Sequence, residues 1–266
     1  MDRGVAVRPV ADAARAVSPL TRKLRQGLAL SREEAAVAED LLSQRRSVRA
    51  NTDIVVDGDE YGAILIVCEG WAYRYKLLAD GRRQILNFVL PGDGIGSYAS
   101  LFTIAANSVQ SLTDVVLGVI APDRLHHINR HHPRLSGALS RSLAQGESML
   151  AEHVVRIGRR TAYERMAHLL MELLMRLQAV GFADHRSYDL PLTQEILADA
   201  LGLSIVHVNR TLRQLRRDGL LRIEGRRIVI DDVDRLTEVA EFEPGYLEQG
   251  REARSGDGGV LASVFA

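Results

Sequence analysis

Cysteine is nearly absent from this chain: Cys68 is the only one in 266 residues. A single thiol closes no disulfide within the chain and cannot supply the four thiolates of an iron–sulfur site. Charge of one sign is missing too, since 34 basic residues face 34 acidic ones. Any strongly basic surface must therefore be local. No apolar run approaches the ~18–20 residues that a membrane span needs, which leaves no membrane partner. The first residues, MDRGVAVRPVADAARAV, have no continuous apolar stretch and so lack the core of a secretory signal. A cytoplasmic location is the expectation. Glycine-rich phosphate loops, nucleophile elbows and HExxH pairs are absent as well, so nothing points to an enzyme.

What is present is ordinary globular material, 46% apolar and 26% charged, in a length that suits about two domains. Residues 1–17 show no period and read as a loose arm. Leu20, Leu24, Leu28 and Leu30 lead into Ser31 and Glu34, a capping box that opens a helix. From about 46 to 121 the pattern changes to short strands. Turn signals recur at Asp57–Gly58, Glu69–Gly70, Asp80–Gly81 and Pro91–Gly92. Such spacing predicts a compact antiparallel roll within residues 18–132.

Helical periodicity returns at Pro133. Leu139, Leu143, Leu150, Val154 and Ile157 form a seam too narrow for a monomer's core, so residues 133–158 read as a dimerisation helix, the alternative being a helix that packs on the roll. Gly158–Arg159–Arg160 breaks the pattern, and Thr161 with Glu164 restarts it as a second capping box. That break reads as a hinge between domains. Residues 181–190 read as a polar loop, and the tail from 243 to 266 as disordered.

The richest segment is TQEILADALGLSIVHVNRTLRQL, Thr193 to Leu215. Thr193 and Ser204 stand at N-cap positions, and Gly202 at the corner between two short helices. Small Ala198 allows a close crossing. Val208, Leu212 and Leu215 fall on one face, which leaves Ile205, Val206, Asn209, Arg210 and Arg213 on the other. That is the layout of a helix-turn-helix, whose second helix enters the DNA major groove. LLRIEGRRIVIDD follows as two strands around a turn, a wing with Arg226 and Arg227 at its tip. Between Leu203 and Arg227 seven arginines meet only Asp218 and Glu224, an asymmetry suited to phosphate.

Roll, long helix, hinge and winged helix-turn-helix, in this order, resemble the Crp/Fnr family of bacterial transcription regulators. The resemblance covers about residues 20 to 242. It rests on EGWAYRYKLLADGRRQIL (Glu69–Leu86), PGDGIG (Pro91–Gly96), GRRTAYERMAHLL (Gly158–Leu170) and LTQEILADALGLSIVHVNRTL (Leu192–Leu212). It implies an α+β chain with a cyclic-nucleotide-binding-like roll and a C-terminal DNA-binding domain at 159–242. It further implies a homodimer on a two-fold symmetric DNA site, a signal sensed in the roll, and contact with RNA polymerase.

Three departures qualify the resemblance. Cyclic-nucleotide-binding members carry a Glu for the ribose hydroxyl and an Arg for the cyclic phosphate. Here Ser97 stands at the Glu position and Asn107–Ser108 at the Arg-Ser position, with no cation between Arg83 and Arg124. A buried phosphate would lose its charge-assisted partner, so a cyclic nucleotide is not expected. Gly94, Gly96, Ser97, Asn107 and Ser108 remain the candidate pocket for something smaller or neutral, the alternative being a roll that binds nothing and serves as scaffold. Fnr-like members hold an iron–sulfur cluster with several cysteines, and Cys68 alone in ILIVC cannot. The recognition helix keeps Ser204 and Arg210 but has Ile205 and Val206 where the family often has Arg and Glu. Arg210 suits a guanine, Val206 a thymine methyl and Asn209 an adenine. His207 and Arg213 are the expected phosphate contacts.

Two other groupings have plainer readings. His126, His127, His131 and His132 read as solvated residues near a helix end, and Trp71, Tyr73 and Tyr75 as a strand face in the core or at a domain contact. The alternative to a DNA-binding regulator is a small-molecule sensor acting through protein contacts. The local basic excess argues for DNA.

Overall fold

The computed structural model describes residues 17–60, 62–96 and 104–247. The first helix, α1 (Pro19–Leu24), begins where the Ser18 hydroxyl accepts from the Thr21 amide and proline takes the first turn. Helix α2 (Arg32–Asp40) opens on the expected capping box, with Ser31 and Glu34 satisfying each other's backbone amides.

Eight strands follow: β1 (Arg45–Val48), β2 (Asp53–Val55), β3 (Ile64–Glu69), β4 (Ala72–Leu77), β5 (Arg83–Val89), β6 (Gly94–Ile95), β7 (Ser108–Ser111) and β8 (Val115–Ile120). They form two four-stranded sheets, ordered β1-β8-β3-β6 and β2-β7-β4-β5, with antiparallel pairing throughout. Val67, Ala72, Val89, Ile95 and Leu117 belong to the core these sheets share. The expected roll is therefore present. Strands β1, β6 and β7 were not singled out by the sequence. RRSV and SVQS are polar, and GI is too short to show a period.

Helix α3 (Pro122–His131) closes the roll. Helix α4 (Pro133–Arg159) follows and, at 27 residues, is about 40 Å long. It ends at Arg160, whose backbone is extended. Thr161 then caps α5 (Ala162–Val180) with Glu164, and its amide donates to Glu164 Oε2 at 2.8 Å. The break predicted at 158–161 is real. Helix α5 is buried on most of its circumference by Met166, Leu169, Leu170, Leu173, Leu174 and Leu177, which makes it the axis of the C-terminal half.

Residues 181–190 are not merely a loop. They contain β9 (Ser187–Asp189), on which Tyr188 is completely buried with its hydroxyl donating to the Leu170 carbonyl. Polar composition hid a strand whose stability comes from one aromatic anchor and from pairing with a later strand. Helices α6 (Gln194–Leu201) and α7 (Ile205–Arg217), strands β10 (Leu221–Glu224) and β11 (Arg227–Ile230), and α8 (Val233–Ala240) complete the domain. A short 3-10 turn, Pro244–Leu247, ends the described chain. Most of the predicted tail and nearly all of the predicted arm lie outside the described residues.

The halves are not separate. Trp71, Tyr73, Ile85 and Phe88 of the roll share one apolar cluster with α5, α6 and α7. At its edge Arg83 pairs with Asp199 of α6 at 2.7 Å, and Gln84 donates to the Asp199 carbonyl at 2.9 Å. The aromatic strand face is thus a domain contact. Deeper, an ion network crosses the same joint. Lys23 meets Asp93 at 2.6 Å, Arg176 joins Asp93 to Glu172, and Arg156 reaches Glu172. Burial pushes the Glu172 carboxyl up, but Arg156 and Arg176 outweigh it and hold it at about 2.

Candidate nucleic-acid interface

The helix-turn-helix is built as its residues predict. Thr193 Oγ1 accepts from the Ile196 amide at 3.2 Å, and Ser204 Oγ from the His207 amide at 3.3 Å. Gly202 sits at φ 63°, where a side chain would be strained, and the Leu203 amide closes the turn on the Ala198 carbonyl. From α5, Arg165 reaches the Leu201 carbonyl at 3.1 Å and braces that corner. Val208, Thr211, Leu212 and Leu215 bury one face of α7.

The opposite face carries Val206, Arg210, Arg213 and Arg217, spaced by four, three and four residues and therefore in one line along the helix. All are exposed, and Val206 is 74% so. Hiding it from water against a thymine methyl would recover apolar area that folding leaves uncovered. The side chains of Arg210, Arg213, Arg216, Arg217 and Arg226 make no ion pair or hydrogen bond among the described residues. Bringing each to a phosphate or base edge breaks nothing.

The remaining candidates are engaged within the chain. The Asn209 amide donates to Gln194 Oε1 at 2.6 Å and to the Ile205 carbonyl at 3.2 Å, tying α7 to α6. The His207 ring lies 3.2 Å from Ser204 Oγ, so Ser204 is occupied as a cap. Arg227 departs furthest from its expected role. It pairs with Asp184, contacts Ser187 Oγ at 2.7 Å and lies 3.6 Å from Asp189. The physical reason is β9. It pairs with β11 and extends the wing to three strands, which brings the acids of the 181–190 segment under Arg227. The wing turn itself leaves only Arg226 uncommitted, since Arg222 pairs with Glu224 and Asp231. Arg216 and Arg217 were not separated from the general basic excess by sequence reasoning. The 3.6-residue period extended past Arg213 would have placed Arg217 in line.

In the roll, Gly94 and Gly96 lie on or beside β6, while Ser108 begins β7 in the other sheet with Asn107 just before it. Ser97 lies outside the described residues. A Cβ on Gly94 would come within 2.4 Å of Leu143, so this glycine is explained by the close approach of α4. Ser108 Oγ accepts from the Asp57 amide at 3.0 Å. Asn107 Oδ1 is buried without a donor among the described residues. Arg74 approaches from the other sheet, but it donates to the Gly94 carbonyl and to Asn87. These residues do not fit a cyclic nucleotide. The phosphate position holds an amide, and the adjacent hydroxyl is already bonded.

The seam on α4 divides. Leu139 is buried in the chain's own core, and Leu143 is half-buried against the same cluster. Neither is free for a partner, because the first half of α4 seals the roll. Leu150 at 42% and Val154 at 59% stand exposed, with Ile157 half-buried beside them. Cys68 is buried, and burial pushes its thiol above the ordinary value. Among the described residues no helix is long and apolar enough to cross a membrane, and no group of three or more His, Cys, Asp or Glu could hold a metal ion. His126, His127 and His131 are exposed on α3, with the His127 and His131 rings 4.5 Å apart.

A roll joined through a long helix to a winged helix-turn-helix with an unpaired arginine line defines a sequence-specific DNA-binding transcription regulator. Comparison with known proteins agrees. Residues 45–132 match the cyclic nucleotide-binding domain model, and residues 164–239 the Crp-like helix-turn-helix domain. The transcriptional activator protein FnrL of Cereibacter sphaeroides is 30% identical over 212 residues, covering 78% of this chain and 84% of FnrL. The nitrogen fixation regulation protein FixK of Bradyrhizobium diazoefficiens is 35% identical over 158 residues, 59% of this chain and 65% of FixK. Among solved structures, FixK2 from Bradyrhizobium japonicum superposes with a TM-score of 0.66 at 28% identity, covering 74% of this chain and 96% of FixK2. The chain belongs to the Crp/Fnr family of transcription regulators.

Proposed function

We propose that this regulator acts in the cytoplasm as a homodimer, and that it activates transcription from a two-fold symmetric DNA site. The observation that carries the reading is the exposed line Val206–Arg210–Arg213–Arg217, in which no arginine is paired. The exposed part of the α4 seam, Leu150, Val154 and Ile157, supports the dimer, because a second copy would cover it. Two recognition helices held about 34 Å apart would enter successive major-groove faces. FnrL and a Rhizobium leguminosarum relative carry the word activator in their names, which supports activation through RNA polymerase.

The base contacts are assigned to Arg210 and Val206, and the phosphate contacts to Arg213, Arg217 and Arg226. Asn209 reads a base only by releasing Gln194. The input is neither a cyclic nucleotide nor an iron–sulfur cluster. Asn107, with its empty acceptor, is the polar point in the roll to which a small neutral donor would bind. Selection of bound sequences from a random DNA pool tests the reading. The expected product is an inverted repeat whose half-sites lie one helical turn apart, and recovery of unrelated sequences would refute it.

A further inference from the structure

A cavity of about 300 Å³ lies at the joint between the halves, and its lining shares no residue with the DNA face or with the roll's candidate pocket. That volume is at the lower end of small-molecule sites, which run to roughly 300–1,000 Å³. Its walls come from α1, the Pro91 turn, α4, α5 and the Pro244–Leu247 turn. Leu90, Met175 and Val180 make much of it apolar, while Lys23, Arg176, Asp93, Gln26 and Gln145 supply its polar lining.

On the cavity wall two cations, Lys23 and Arg176, share one lining carboxylate, Asp93; Glu172 and Arg156 extend the network outside the lining. The Lys23 and Arg176 side chains are only 9% and 8% exposed. An ammonium carries three N–H donors. That of Lys23 gives one hydrogen bond, to Asp93, and finds no other acceptor among the described residues. Arg22, outside the lining, donates to the carbonyl of the lining residue Val180 at 3.3 Å. Buried charge without a counterpart is costly, and an anion supplied from outside removes that cost.

We propose that this cavity binds a small organic monoanion, its carboxylate toward Lys23 and its apolar body against Leu90, Met175 and Val180. Such a ligand would join α1 and the Pro91 turn of the roll to α5 of the DNA-binding half. It would therefore bias the same joint that positions α6 and α7, independently of what the roll binds.

Thermal unfolding and titration calorimetry of the full chain test this without DNA, so the outcome does not depend on the DNA reading. The probes are benzoate, phenylacetate and indole-3-acetate, each beside its uncharged amide. At least one acid is expected to raise the unfolding temperature by about 3–6 °C at ten times its Kd, with its amide much weaker. Gln26→Glu places a negative charge at the exposed rim and should weaken that acid about tenfold. Ala179→Trp should fill the cavity and abolish the response. If that variant fails to fold, Gln26→Glu decides. The proposal is overturned if no acid responds, if acid and amide respond alike, or if both variants respond as the parent does. A response that appears only after residues 248–266 are removed would assign the cavity to that segment and also overturn it.

Discussion

An arginine's neighbours decide what it can do for DNA. Arg226 and Arg227 are adjacent in sequence, yet one is uncommitted and the other is held by Asp184, Ser187 and Asp189. Arg226→Ala should lower the slope of log affinity against log salt by about 1, because one phosphate contact is lost. Arg227→Ala should leave that slope unchanged and lower stability instead, by about 0.5–1.5 kcal/mol, since exposed pairs are weak but the Ser187 bonds are partly buried. Salt-dependent binding and urea unfolding separate the two. Equal slopes for both variants would contradict the division. Arg210→Ala should cost ~1–3 kcal/mol of discrimination at one base pair per half-site, and binding that weakens evenly at every position would refute its role as a base reader. Arg210 was legible from the sequence because helical period and the Ser204 cap fix its face. The Arg227 pairing was not, since it depends on β9, whose partner is about forty residues away.

Elements were legible where their ends carry chemistry. The capping boxes at Ser31 and Thr161, the caps at Thr193 and Ser204, and the αL corner at Gly202 all follow from local residues. Local rules fail where an element is defined by what it touches. Leu139 and Leu150 belong to one seam by spacing, yet Leu139 is sealed in the chain's own core and Leu150 is exposed. Spacing alone cannot tell a self-contact from a contact with a second copy. The dimer surface proposed for α4 therefore lies on its second half, where Leu150 and Val154 are exposed. Val154→Glu therefore places a charge at the centre of the proposed interface. It should convert the dimer to a folded monomer by sedimentation, with DNA affinity down at least tenfold, while Leu139→Ala should mainly destabilise, by about 2–5 kcal/mol. A Val154→Glu chain that stays dimeric would remove α4 from the interface.

The joint holds the molecule together by charge as well as by apolar contact, and this makes its stability depend on acid. His153 of α4 and His168 of α5 lie on either side of Arg156 and are almost completely buried. Arg156 Nε donates to His168 Nδ1 at 3.1 Å, which leaves the imidazole proton on Nε2, 3.1 Å from Glu152. Burial, then Arg156, lowers the His153 pKa to about 4; burial, Arg156 and Arg160 lower that of His168 to about 3. The unfolded chain takes up these protons near 6.5 and the folded chain only near 3–4. Protons therefore favour unfolding. The stability is fully present above about 6.5 and is lost as pH falls toward 4, at up to about 1.4 kcal/mol per pH unit for each histidine. Glu172 acts in the same direction, but its loss begins only below about 4.5, so measurements between pH 7 and pH 5 isolate the histidines. Urea unfolding should show about 2 kcal/mol lost per histidine between those values, and His168→Gln should remove about half of the total change. Identical stability at pH 7 and pH 5 would mean that the histidines are hydrated or already charged in the folded chain. The joint would then not be the dry, charge-linked contact between the roll and the DNA-binding half that these residues form.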